Sequence, residues 1–72
     1  MKSPRIVSDP EILDGTPVFI GTRVPVRILF ELLEAGDSLE VFLKDFPSVN
    51  RELAIQVLED ARAILVADAH PA

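Results

Sequence analysis

A chain of 72 residues, 49% of them hydrophobic, with no cysteine and a net charge of −5, reads as one small domain that no disulfide or metal cluster staples. At this length a fold buries only about 60–65% of its unfolded surface, so the apolar content points to surface that a second copy or another protein covers. The charge sign argues against a self-sufficient nucleic-acid binder, and the absence of a signal peptide and of a twenty-residue apolar run gives the expectation of a cytoplasmic protein without a membrane segment.

The charge is uneven along the chain. Residues 1–36 carry four basic and five acidic groups, whereas residues 37–72 carry three and seven, so the second half holds −4 of the −5. The block 1–21 is punctuated by Pro4, Pro10, Gly15 and Pro17, which leaves no room for a long helix. Arg5–Val7 and Val18–Ile20 are short β-prone runs separated by the turn-rich SDPEILDGT, the pattern of a hairpin-like arm. A two-stranded ribbon is marginal alone, so the arm is expected to pack on the helices or on a second copy.

Three helices follow. The first is expected from about Pro25 to Ala35, with Val26, Leu29, Phe30 and Leu33 on one face and Gly36 in the left-handed position after its end. Asp37 or Ser38 caps a second helix over Leu39–Asp45, Asp37 and Glu40 having the spacing of a capping box. Leu39, Phe42, Leu43 and Phe46 form its stripe, and Pro47 stops it. The third helix starts near Arg51, capped by Asn50 or Ser48, and extends to about Ala67, its apolar face marked by Ala54, Val57, Leu58, Ala61, Ile64 and Leu65. A brief helix, a short connection and a longer helix follow the helix-turn-helix plan. The expected architecture is mainly α: a single domain over 1–72, with a β-arm over 1–21 and a three-helix core over 22–69.

The stretch from Pro17 to Leu33, PVFIGTRVPVRILFELL, carries the most local information. Gly21 suits a positive φ, Thr22 can bond back to the backbone at a turn, and Pro25 has its φ preset for a helix start. Together with EAGDSLEVFLKDFPSVNRELAIQVLEDA further on, this segment resembles the domain-of-unknown-function family four-thirty-three, over roughly residues 5–65. The residues that match are Gly15, Pro17, Val18, Gly21, Thr22, Arg23, Pro25, Val26, Gly36, Ser38 and Pro47. Phe46 stands where that family usually has a tyrosine, and Phe42 and Leu43 where it often has a smaller pair. The resemblance implies a homeodomain-like helix-turn-helix fold with an N-terminal β-arm. It also implies a VapB-type antitoxin of a toxin–antitoxin system, encoded beside a small PIN-like nuclease.

Candidate residues fall into two sets. Asn50, Arg51 and Gln56 occupy the start of the third helix, where a recognition helix presents side chains to base edges. Alternatively, they form a capped and solvated face, with Glu52, Glu59 and Asp60 repelling phosphate. Lys2, Arg5 and Arg27, with Arg23, can join into a phosphate-facing strip in a dimer or be scattered solubilising charge. The second set faces a protein. Arg23 projects from the strand-to-helix corner, where it can meet a phosphate, enter the acidic site of a nuclease, or tie the corner to a carboxylate of its own chain. Val57, Ile64, Leu65 and Val66 form an apolar surplus suited to a homodimer seam or a toxin-binding surface. Asp9, Glu11 and Asp14 read as turn residues, and His70 lacks companions for a metal site. No cofactor and no enzymatic activity are expected. The expected function is an antitoxin that masks a PIN-like ribonuclease and binds its own promoter DNA. The alternatives are a dimeric interaction module that never touches DNA and a stand-alone transcription regulator.

Overall fold

The computed structural model describes residues 3–71. Strand β1 (Ile6–Val7) pairs antiparallel with β2 (Val18–Phe19), with Ile6 opposite Phe19 and Val7 opposite Val18. The ladder continues one step as the Ile20 amide donates to the Arg5 carbonyl at 2.8 Å. Between the strands the chain makes a tight left-handed excursion. Asp9 accepts from the Glu11 amide, and Leu13, Asp14 and Gly15 all take positive φ.

After β2 the chain reverses and runs back along the strand it has just left. The Phe19 amide donates to the Val24 carbonyl, and the Val26 amide to the Pro17 carbonyl, each at 3.0 Å. Gly21 takes the corner at φ +75°, with open space where a Cβ would stand. Thr22 closes the turn twice, its amide donating to the Phe19 carbonyl at 3.0 Å and its hydroxyl to the same oxygen at 2.8 Å. The hydroxyl also accepts from the Val24 amide.

The returning limb runs straight into α1 (Val26–Glu34). Pro25, expected as the first helical residue, is instead the N-cap, with ψ 132° and a bridge to Val18. Its fixed φ of −62° suits the ribbon as well as the helix, and the pairing with β2 decides which it joins. At the other end the Gly36 amide donates to Leu33 and the Asp37 amide to Leu32. This double closure needs the positive φ that Gly36 adopts.

Helix α2 (Leu39–Asp45) is capped by Ser38, whose hydroxyl accepts from the Val41 amide. The expected Asp37–Glu40 capping box does not form. The Asp37 amide is spent on the end of α1, and the Glu40 carboxylate reaches across to Arg51. Helix α3 (Arg51–Ala67) starts on Asn50, whose side chain accepts from the Leu53 amide at 2.8 Å.

The core joins Phe19 and Val24 of the corner, Val26 and Leu29 of α1, Phe42 of α2, Val49 of the connection, and Ala54 and Val57 of α3. Phe42 is its middle, with ring centroids 5.7 Å from Phe19 and 5.2 Å from Phe46 in tilted arrangements. The arm is therefore built into the helical core through Phe19. We expect Gly21→Ala to lower stability by about 1–2 kcal/mol, because a Cβ is forced into a left-handed corner. Thr22→Val should cost about 1–3 kcal/mol for the two lost hydroxyl bonds. Urea denaturation of both variants measures these losses.

Candidate functional site

Two hollows flank the arm. The first, of about 500 Å³, lies at the corner and is lined by Val7, Ile12, Val18, Gly21, Thr22, Arg23 and Ser48. Its walls are mainly aliphatic, supplied by β1, β2 and the loop between them. The loop is held in shape by the Asp9 turn and by the Ser8 hydroxyl, which donates to the Gly15 carbonyl. Leu13 stands half-exposed in that loop at φ 49°, an uncommon conformation for a branched side chain. Arg23 is the cation of this hollow. It is exposed, and among the described residues its guanidinium makes no ion pair or hydrogen bond.

The second hollow, of about 390 Å³, sits at the start of α3 and is lined by Arg5, Asn50, Glu52, Leu53 and Gln56. It is polar, and it gathers three of the residues expected to reach nucleic acid. Two of those are already engaged: Asn50 caps the helix, and Arg5 reaches Asp60 at 3.0 Å. Ser3 joins the same carboxylate, its hydroxyl donating to Asp60. This clasp ties the N-terminal segment to the middle of α3. The Ser3 hydrogen bond holds the Asp60 carboxyl below its ordinary range; partial burial opposes that shift, and Arg5 adds to it.

The other expected site residues are dispersed. Arg27 pairs with Glu31 one turn along α1, and Arg51 pairs with Glu40 of α2. Lys2 lies outside the described residues. Val57, expected on a partner-facing surface, is 1% exposed and belongs to the core. Periodicity places it on the apolar face of α3 but cannot tell the covered part of that face from the uncovered part. Ile64 is partly exposed, and Leu65 and Val66 are 71% and 64% exposed. Of the four arginines that pair, none keeps its charge free, since Arg62 is held by Glu59 at 2.8 Å. That pair lowers the Glu59 carboxyl, first through the hydrogen bond and then through the charge of Arg62.

The aliphatic hollow beside Arg23 was not anticipated from sequence. Its one signal is the presence of Ile12 and Leu13 inside a stretch of turn formers, where apolar residues have no reason to occur unless the loop folds over something. Among the described residues no three histidine, cysteine or acidic groups converge as a metal site, and no helix is long and apolar enough to cross a membrane. Of the two hollows, one is aliphatic with an unpaired arginine at its edge, and the other is polar, its Arg5 paired with Asp60 while Glu52 has no ion pair among the described residues.

The profile of the family described as "Protein of unknown function (DUF433)" matches residues 6–61, and the chain belongs to that family. It is also similar to the uncharacterized protein y4eO of Sinorhizobium fredii, at 47% identity over 47 residues. The match takes in 65% of this chain and 21% of that protein, so the chain spans about a fifth of its relative's length. No solved structure matches the chain.

The clasp has a pH consequence of definite sign. Asp60 has a folded-state value below its ordinary 3.8, so its contribution is fully present above that ordinary value and is lost as pH falls through the lower, folded one. Thermal melts of wild type and Asp60→Asn should therefore differ at pH 6 and converge at strongly acidic pH.

Proposed function

We propose that this chain is a binding protein rather than an enzyme, and that it acts as the antitoxin of a toxin–antitoxin pair by masking a PIN-like ribonuclease. The observation that carries this reading is the charge state of the arginines. Arg5, Arg27, Arg51 and Arg62 are each neutralised by a carboxylate of the same chain, and Arg23 alone among the described arginines is left without one, beside an aliphatic hollow. A phosphate backbone is bound by many unpaired cations acting together, which this surface does not supply. A single exposed guanidinium next to apolar walls suits a protein surface that presents a carboxylate within an apolar patch. An arginine fork matches carboxylates well, and a nuclease of the PIN kind, with its acidic site, is a partner of that chemistry.

Operator binding is the second part of the reading. It is favoured by the common hollow of Arg5, Asn50 and Gln56 at the start of α3, the end of a recognition helix that enters a groove. In this reading Gln56 reads bases, while Arg5 and Arg51 must first give up Asp60 and Glu40. DNA binding by the chain alone is accordingly weak, steeply dependent on salt, and reduced by the Arg51→Ala, Gln56→Ala double variant.

The masking test uses the purified chain and a purified PIN-like ribonuclease, the class of partner this reading requires. Cleavage of a single-stranded RNA should stop at stoichiometric chain. Arg23→Glu should weaken inhibition about tenfold or more, since it turns an attraction to a carboxylate into a repulsion. Undiminished cleavage in the presence of excess wild-type chain contradicts the proposal.

A further inference from the structure

Helix α3 outruns the body it packs on. It is 17 residues long, about 25 Å, and its apolar residues form one continuous stripe, with Ala54, Val57, Leu58, Ala61, Ile64 and Leu65 recurring at three- and four-residue steps. Ala54 and Val57 are 0% and 1% exposed, whereas Leu65, on the same face about two turns beyond Val57, is 71% exposed. Among the described residues, Leu58 is the last of the stripe packed against the core.

The dimensions of the molecule agree. Its radius of gyration is 12.9 Å, against about 11 Å for a compact chain of this length. Its accessible surface is 5189 Å², roughly 800 Å² more than the about 4,400 Å² typical of a folded monomer of this mass. A standard protein interface takes about that area, some 800 Å², from each partner.

We propose that the overhanging half of α3 is a homodimer seam, in which Ala61, Ile64 and Leu65 pack antiparallel against the same residues of a second copy. Charge points to a second copy over a charged partner. Between Glu59 and Ala67 every ionic group already has its counter-charge in the chain: Glu59 with Arg62, and Asp60 with Arg5. The strip therefore offers a foreign protein apolar surface and no unmatched charge, a surface complementary to itself. A two-fold axis across the helix brings two such strips together, with the small Ala61 allowing close approach. The seam does not use Arg23 or the aliphatic hollow, so it stands or falls separately from the masking of a nuclease.

Light scattering on the eluting peak, with the full chain at roughly 100 µM, should give a dimer for wild type. Leu65→Asp should raise the dissociation constant about a hundredfold or more and give a monomer. Leu65→Ser should move the equilibrium the same way. Because Leu65 is exposed in the single chain, both variants should keep the wild-type circular dichroism. Val66→Asp changes a residue that is also exposed but lies about 100° further round the helix, and should leave the dimer intact. A monomeric wild type, a Leu65→Asp chain that still dimerises, or a Val66→Asp chain as disrupted as Leu65→Asp would overturn the proposal.

Discussion

Everything in this molecule hangs from the reversal at Phe19–Val26, where a strand turns back on itself and becomes a helix. The turn is closed by one side chain, Thr22, whose hydroxyl bonds both limbs, and it is made possible by the left-handed Gly21. Because the Phe19 amide and the Val24 carbonyl satisfy each other, the corner can be buried without stranding polar backbone, and Phe19 can reach Phe42 at the middle of the core. The same reversal aims α1 across the helices, sets β2 against β1, and leaves Arg23 standing outside. One local constraint thus connects the arm, the core and the candidate partner surface.

The second organising feature is the matching of charge within the chain. A protein with a net charge of −5 has few cations, and this one places most of them against its own carboxylates. Such pairs on a surface add little to stability. Their larger effect is on recognition, since each removes a cation that a polyanion would otherwise attract. What remains for intermolecular contact includes the cation at the corner, the aliphatic hollow beside it and the uncovered length of α3, with Lys44 of α2 a second exposed cation that has no ion pair among the described residues. In the proposed arrangement these divide the work, the hollow meeting a nuclease and the helix meeting a second copy.

Much of the fold was legible because its causes are local. Gly21, Thr22, Gly36, Ser38 and Asn50 each act within three residues of themselves, and the observed α2 and α3 boundaries are those the apolar spacing and the caps imply. Where local rules compete, sequence alone misleads. Pro25 fits a helix start and a ribbon equally well, and Asp37 has the spacing of a capping box but an amide already committed to α1. The candidate site was less legible because its contacts are distant in sequence. Nothing near Arg5 indicates that it will meet Asp60, 55 positions away, nor that Arg51 will meet Glu40. The aliphatic hollow exists only when β1, β2, their loop and Ser48 come together. The stripe on α3 was visible, but where the body stops beneath it is a property of the assembled core, which is why Val57 and Leu65 read alike in sequence and differ so widely in exposure.

If the corner holds the molecule together, the arm and the helices must open as one unit. Native-state hydrogen exchange tests this directly, by comparing the amides of Phe19, Val24 and Val26 with those of Phe42, Ala54 and Val57. The account predicts that all six exchange only through global unfolding, with a common opening free energy and a common denaturant dependence. Corner amides that exchange through a separate low-energy opening, while those of the helices stay protected, would contradict it.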